Sequence, residues 1–374
     1  MSKNPNIAAL NQLGQSIWYD NLSRDVLESG ELEQLIASGV SGLTSNPTIF
    51  HKAISGSSLY DQDLKQLHSQ GLTVEEITDK LMIADVASAA RLLEPIYRAT
   101  GGADGYASIE VSPLLAANTE STLNEARRIW SELDLPNIMI KVPATSEGLP
   151  AIEALIADGI NVNVTLIFSP ERYIEVVDAY LRGLERRKEL GEPMQVASVA
   201  SFFISRVDAI VEKAFEQKLQ EGLVDHSKRD LIWGKIGIAN SKIAYAQFEE
   251  IFGSARFAGL SEAGAWIQRP LWASTSTKNP DFPELLYVEE LAGKDTVNTL
   301  PPATVTTLCK GATIEPRLHQ GLDSAQQAVK HVQEMGISLS DLLVKLEEDG
   351  VRSFSESYHA LNKAIADKCA QLEK

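Results

Sequence analysis

Short apolar segments alternate with longer amphipathic segments along most of the chain. The short segments are rich in β-branched residues, and the longer ones repeat apolar residues at helical spacing. This order predicts repeated βα units. Eight segments are predicted as strands, at residues 16–22, 41–49, 106–111, 137–143, 161–168, 196–203, 271–274 and 296–300.

Helical patterns fill the segments between these strands, at residues 24–37, 73–99, 119–133, 148–158, 170–190, 206–220 and 228–252. The tail at 339–373 predicts one long helix or a helix pair. No linker or repeat divides the chain, so we predict a single (β/α)₈ TIM barrel domain over residues 1–374. Helical insertions are predicted near 50–98 and 225–264, with a C-terminal helical segment at 339–374. An open doubly wound sheet is the alternative, but no GxGxxG turn follows the first strand.

Composition narrows the classes of partner. The formal charge of −17 includes no excess of Lys and Arg to neutralise phosphates, which argues against nucleic acids and anionic membranes. No apolar run approaches the roughly 20 residues that a membrane span requires. The two cysteines and six histidines form no ligand cluster, so neither a disulfide framework nor a metal site is expected. A cytoplasmic location is predicted.

The predicted strand at 137–143 contains the most informative residue, Lys141. Side chains alternate along a strand, so Ile138, Ile140 and Val142 share one face while Met139 and Lys141 share the other. In a barrel, an inward lysine among apolar residues must be paired, neutral or reactive. An apolar environment favours the neutral amine, which attacks carbonyls. The alternative is a lysine at the strand end that extends to solvent.

Polar residues occupy the same face of neighbouring predicted strands. Glu110 lies between two apolar residues, and Asn161, Asn163 and Thr165 alternate with Val162, Val164 and Leu166. One solvated face of an antiparallel sheet would produce this pattern too. In a parallel barrel, polar residues near the carboxyl ends of the strands instead indicate an active site.

Six segments resemble, in order, motifs of the transaldolase family. They are GLTSNPTIF at 42–50, IMIKVPATSEGL at 138–149, NVTLIFS at 163–169, SFFISRVD at 201–208, WASTSTKNP at 272–280 and NTLPPAT at 298–304. The resemblance runs from residue 16 to the terminal helix and is similar to the longer bacterial members. It implies a class I aldolase barrel of the pentose phosphate pathway that needs no cofactor or metal. It also implies reversible transfer of dihydroxyacetone from sedoheptulose 7-phosphate to glyceraldehyde 3-phosphate, giving erythrose 4-phosphate and fructose 6-phosphate.

The resemblance assigns the catalytic roles. Lys141 is implied as the Schiff-base nucleophile, and Asp20 as the acid/base group for the C4 hydroxyl. A helix cap near Ser23 is the alternative role for Asp20. Glu110 and Thr165 are implied to hold a water that shuttles protons, although a β-branched residue such as Thr165 also suits any strand.

Substrate-binding roles are likewise implied by the resemblance. Asn46 and Asn163 would bind the hydroxyls of the dihydroxyacetone unit, and a turn residue before Pro47 is the alternative for Asn46. The phosphate would meet Ser201 and Arg206, with Phe203 in the pocket wall. Many transaldolases have a second phosphate-binding arginine after the seventh strand. This chain has none there, so Ser274 and above all Lys278 are the predicted substitutes.

Two other functions compete with this interpretation. A fructose-6-phosphate aldolase-like enzyme would use the same barrel and lysine but release free dihydroxyacetone. The length of 374 residues favours transfer, because the small aldolases of this group are shorter. A catalytically inactive barrel that binds sugar phosphates is disfavoured by Lys141, Asp20 and Glu110 together. Sugar phosphates are the expected partners, and a monomer or homodimer is predicted.

Overall fold

A computed structural model describes residues 3–372 of the chain. Eight strands form a closed barrel in which every strand pairs in parallel with its neighbours in sequence, and the last pairs with the first. The strands are β1 Gln15–Tyr19, β2 Gly42–Thr44, β3 Ala107–Glu110, β4 Ile138–Pro143, β5 Val162–Ile167, β6 Ser198–Phe203, β7 Gln268–Ala273 and β8 Thr296–Leu300. The predicted (β/α)₈ barrel is therefore confirmed.

Sixteen α-helices are described between residues 3 and 372. They are α1 Pro5–Gln12, α2 Arg24–Glu28, α3 Glu31–Ser38, α4 Pro47–Gly56, α5 Asp61–Ser69, α6 Val74–Ala99, α7 Thr119–Leu133, α8 Gly148–Asp158, α9 Pro170–Leu190, α10 Ser205–Gln220, α11 Ile236–Phe252, α12 Ala255–Ser261, α13 Leu286–Glu290, α14 Pro302–Lys310, α15 Leu322–Glu334 and α16 Leu339–Leu372. None of these helices has the length and apolar character needed to cross a membrane. The predicted tail forms one helix as far as residue 372, and residues 373 and 374 lie outside the described part.

Alternate side chains of the strands face the helices and the barrel interior, as the sequence pattern predicts. Ile138, Ile140 and Val142 pack in the outer core that the surrounding helices cover. Met139 lies in a separate cluster with inward residues of other strands, such as Val199. The inner positions of a closed eight-stranded barrel are filled by side chains from alternate strands. The inward direction predicted for Lys141 follows from the same alternation.

Several predicted boundaries are shifted, such as those of β1 and β7, and three differ because glycine or proline changes the backbone. The predicted helix 24–37 is split into α2 and α3 at Gly30, which has φ of +77°. The predicted helix 228–252 begins instead as a 3₁₀ helix, and α11 starts at Ile236, after Gly234 with φ of +65°. The predicted strand 41–49 stops at Thr44, because Pro47 occupies the first turn of α4.

The alternation expected on β5 fails at Leu166. The sequence pattern placed Leu166 on the face of Val162 and Val164, but its φ is +61° and the pairing between β5 and β6 shifts register there. The register shift places Ile167 in the outer core and leaves Leu166 in the inner cluster with Phe168. The irregularity therefore moves one large apolar side chain to the carboxyl end of the barrel interior.

Helix α16 packs across this end of the barrel. It contacts α4, α10 and β5, and Thr48 on α4 donates a hydrogen bond to Ser357 at 2.8 Å. At its far end, Lys368 donates to the carbonyl of Ile54 at 3.0 Å and pairs with Asp61. The sequence predicted a terminal helix but contained no signal for its position. The division into one domain with inserted segments stays a prediction.

Candidate active site

A cavity of about 300 Å³ opens at the carboxyl ends of the barrel strands. Its wall contains side chains from seven of the eight strands or the turns that follow them, and from α4, α10 and α16. The predicted site residues that line it are Asp20, Asn46, Lys141, Thr165, Ser201, Phe203, Arg206, Ser274 and Lys278. Glu110 and Asn163 lie behind this wall and are buried. The barrel thus brings together residues that are more than 250 positions apart in the sequence.

Lys141 lies on the inner side of β4, near its carboxyl end, and is only 5% exposed. Its Nζ donates to the backbone carbonyl of Ser45 at 3.1 Å and lies 3.6 Å from Oε2 of Glu110. The side chain therefore ends in the cavity and does not extend to bulk solvent. A buried amine beside one carboxylate is an arrangement suited to nucleophilic chemistry.

Glu110 and Thr165 flank this lysine on the neighbouring strands. Register pairs Glu110 with Lys141 and Thr165 with Pro143. Burial raises the pKa of Glu110 to about 7, Lys141 opposes this shift, and the charge of Asp20 adds to it. Oε2 of Glu110 and Oγ1 of Thr165 have no hydrogen-bond partner among residues 3–372. Both atoms are therefore available for proton transfer or for binding a small polar molecule.

Asp20 directly follows β1 and accepts a hydrogen bond from Thr44 at 2.7 Å. Thr44 is in turn 2.7 Å from the hydroxyl of Thr299, so β1, β2 and β8 together orient the carboxylate. Burial raises the pKa of Asp20, and Lys141 and the bond from Thr44 oppose the shift. The alternative role as a helix cap is wrong, because Ser23 caps α2 by accepting from the amide of Val26.

The two predicted asparagines have different environments. Asn46 caps α4, where its Oδ1 accepts from the amide of Ile49 at 3.0 Å while the residue lines the cavity. A local turn role and a ligand role are therefore compatible. Asn163 is fully buried, and its amide donates to Ser108 at 3.1 Å and accepts from Ser201 at 2.7 Å. This network fixes the hydroxyl of Ser201, which lines the cavity.

Arg206 and Lys278 supply positive charge at the same cavity. Arg206 lies in the first turn of α10 above the ring of Phe203, with 5.5 Å between guanidinium and centroid. Burial lowers the pKa of Arg206, and burial together with Arg206 lowers that of Lys278. Neither side chain forms an ion pair with a carboxylate in the part of the chain that the structure describes, although the charge of Asp20 opposes the lowering of the pKa of Lys278. Two cations that face one cavity without an ion-pair partner favour the binding of an anion there.

The loop after β7 is attached to the start of α10. Ser274 has φ of +56°, and its hydroxyl lies 2.9 Å from that of Ser205 while its carbonyl accepts from the amide of Ser205. Further along this loop, Nζ of Lys278 donates to Ser276 at 2.8 Å. The positive end of α10 therefore faces the same region as both cations.

Several cavity residues were missed from the sequence. Ser276 belongs to the motif that contains Lys278, and Lys52 lies on α4 after Asn46, so both had weak local signals. Thr44 and Thr299 have no local signal that distinguishes them from other β-branched residues of a strand. Phe354 comes from α16, and nothing in its local sequence predicts that it lines a barrel cavity.

Known proteins with similar sequences support a single family. The chain matches the family described as Transaldolase/Fructose-6-phosphate aldolase over residues 17–365. It is 46% identical to the transaldolase of Thermobifida fusca over 364 residues, which cover 96% of this chain and 97% of the relative. It is 43% identical to transaldolase 2 of Nostoc sp. over 366 residues and 44% identical to the transaldolase of Mycolicibacterium smegmatis over 364 residues. Each of these alignments covers 96% of both chains.

Proposed function

This chain belongs to the transaldolase/fructose-6-phosphate aldolase family and is a transaldolase, and we propose that Lys141 forms the Schiff base through which it transfers dihydroxyacetone. The single observation that carries this role is the position of its Nζ. It lies in the cavity, 3.6 Å from Glu110, on the inner side of β4. The proposed donors are sedoheptulose 7-phosphate and fructose 6-phosphate, with glyceraldehyde 3-phosphate and erythrose 4-phosphate as the matching acceptors.

The reaction starts when the neutral amine of Lys141 attacks the C2 carbonyl of the ketose phosphate. The resulting carbinolamine loses water to give an iminium ion, which requires protonation of the departing hydroxyl. Glu110 is suited to this step because burial raises the pKa of its carboxyl to about 7, so it exchanges a proton near neutral pH. A water held by Glu110 and by the unpaired hydroxyl of Thr165 would carry the proton between them and the substrate.

Carbon–carbon cleavage then uses Asp20. Its carboxylate removes the proton from the C4 hydroxyl, the C3–C4 bond breaks, and the iminium accepts the electron pair as an enamine. The aldose phosphate leaves and a second aldose phosphate takes its place. Addition of the enamine carbon to the new aldehyde returns the proton from Asp20, and hydrolysis frees the product. The hydrogen bond from Thr44 keeps Asp20 oriented in both directions.

Polar groups on either side of Lys141 would bind and orient the substrate. We assign the hydroxyls of the dihydroxyacetone unit to Asn46 and, because Asn163 is buried behind the cavity wall, to Ser201, whose hydroxyl Asn163 positions. The family resemblance instead implied Asn163 for these hydroxyls and Ser201 for the phosphate. The phosphate is assigned to Arg206 and Lys278, with Ser274 ordering the loop between them. Phe203 supplies the wall beneath Arg206. The unpaired charge of the two cations supports this assignment despite the net charge of −17.

Reductive trapping tests the nucleophile. The protein is incubated with fructose 6-phosphate and borohydride, and peptide mass spectrometry locates the added three-carbon unit. A reduced adduct on Lys141 supports the proposal, and an adduct on another lysine contradicts it. The absence of any adduct and of turnover would favour the inactive sugar-phosphate-binding barrel.

A second assay separates transfer from release. Fructose 6-phosphate is supplied with and without erythrose 4-phosphate, and both sedoheptulose 7-phosphate and free dihydroxyacetone are measured. Transaldolase activity requires the acceptor for rapid turnover. Equal turnover without acceptor would favour the fructose-6-phosphate aldolase-like alternative. The monomeric or homodimeric state and the cytoplasmic location remain parts of the proposal, and intracellular phosphorylated sugars as substrates support the latter.

A further inference from the structure

The C-terminal helix α16 contributes an apolar side chain to one wall of the cavity. Phe354 of α16 lines the cavity, is 5% exposed, and has its ring centroid 5.8 Å from Nζ of Lys141. The groups recorded within 4 Å of Nζ are polar instead, namely Oε2 of Glu110 and the carbonyl of Ser45. An aromatic ring at this position covers the nucleophile on the side where α16 crosses the barrel.

The position of Phe354 is determined by the fit of α16 onto the barrel. Gly350, one turn earlier, packs so closely that a Cβ there would lie 3.0 Å from Cδ2 of Leu166. Leu166 occupies this place because of the register shift in β5 and its positive φ. Three residues after Phe354, Ser357 accepts the hydrogen bond from Thr48. Contacts on both sides of Phe354 therefore hold its ring over the cavity.

We propose that Phe354 directs the enamine toward transfer by excluding water from the enamine carbon, which would otherwise be protonated before an acceptor aldehyde adds to it. The proposal rests on the Schiff-base function assigned to Lys141. It makes Phe354 a specificity-determining residue that decides between two fates of one intermediate. Closing an active site against water is a general means of preventing such side reactions.

The competing fate is a complete reaction in its own right. A water that reaches the enamine carbon donates a proton to it and takes in exchange the proton that Asp20 removed from the C4 hydroxyl, which regenerates an iminium ion of dihydroxyacetone. Water then adds to C2, the C–N bond breaks, and the amine of Lys141 leaves with its electron pair. Free dihydroxyacetone is released, and the water consumed balances the water lost when the Schiff base formed.

Two variants of Phe354 test this role. With fructose 6-phosphate as donor and erythrose 4-phosphate as acceptor, the measured quantity is the ratio of dihydroxyacetone released to sedoheptulose 7-phosphate formed. We expect Phe354→Ala to raise this ratio on the order of tenfold, as loss of one apolar wall allows water to enter. Phe354→Leu keeps an apolar side chain of similar reach and should return the ratio close to the wild-type value.

Val344→Ala provides the matched control on the same helix. Val344 is 60% exposed and does not line the cavity, so this variant should keep the wild-type ratio. Unchanged ratios in both Phe354 variants would overturn the proposal. An equal rise in Phe354→Ala and Val344→Ala would also overturn it, because loosening of α16 rather than the ring would then control water.

Failure of this proposal differs from failure of the proposed function. If wild-type protein yields no borohydride adduct at Lys141, the Schiff-base function is wrong. If the adduct forms and only the ratio fails to respond, the role of Phe354 alone is wrong. Should Phe354→Ala not fold, Phe354→Val tests the same wall, since it shortens the side chain at this position while removing less buried apolar surface. A raised ratio in Phe354→Val supports the proposal, and an unchanged ratio contradicts it.

Discussion

Replacing Arg206 with alanine removes a partly buried guanidinium that forms no ion pair with a carboxylate among residues 3–372. We expect this variant to lose activity toward phosphorylated ketoses while keeping most of its activity toward unphosphorylated analogues. A charge-assisted hydrogen bond contributes about 1.5–3 kcal/mol. Its loss should therefore lower kcat/KM for fructose 6-phosphate about ten- to a hundredfold.

Lys278 should make a smaller contribution of the same kind. Its Nζ already donates to Ser276, and the residue is exposed, so solvent screens its charge more than that of the partly buried Arg206. A partly exposed charge pair contributes up to about 1 kcal/mol. Lys278→Ala should accordingly lower kcat/KM for the phosphorylated ketose about fivefold.

The assay compares kcat/KM for fructose 6-phosphate with that for fructose, at fixed acceptor and ionic strength. Arg98→Ala is the matched control, because Arg98 pairs with Glu94 on the surface of α6 and does not line the cavity. An equal loss on both substrates in Arg206→Ala would refute the phosphate assignment. If Lys278→Ala affects both substrates alike, the second phosphate contact lies elsewhere, and Ser274 or Ser276 would be tested next.

Two further outcomes follow from the site, and a third concerns Glu212 of α10, which does not line the cavity. Lys141→Ala should abolish transfer while circular dichroism and cooperative melting stay native, and substantial residual activity would contradict the nucleophile assignment. Exhaustive chelation with EDTA should leave activity intact, because the iminium is the electron sink; loss that a divalent ion restores would oppose this. Burial and the charge of Asp208 raise the pKa of Glu212 from 4.5 to about 7. Its stabilising contribution is therefore complete below about pH 4.5 and lost as pH rises through about 7. Glu212→Gln should flatten this decline in urea titrations between pH 5 and 8, and identical slopes would contradict the shift.

Local sequence patterns were sufficient to predict the barrel and many of the residues of the site. The helices at 119–133, 148–158 and 170–190 have the predicted bounds, because apolar periodicity and a terminal Gly or Pro specify them. Strand alternation predicted that Lys141 and Glu110 share the inner face of the sheet. Barrel closure then brings their side chains together at the cavity. The family motifs then identified residues whose local context alone would suggest caps and turns.

The sequence by itself determined the inward direction of Lys141, most of the helices between the first seven strands, and that a lysine among apolar residues was chemically unusual. Tertiary structure decided the rest. It moved Leu166 to the inner face and placed Phe354 over the cavity. These features depend on contacts between segments far apart in the chain, such as α16 against β5. No periodicity in either segment encodes such a contact, because its geometry exists only after the barrel closes.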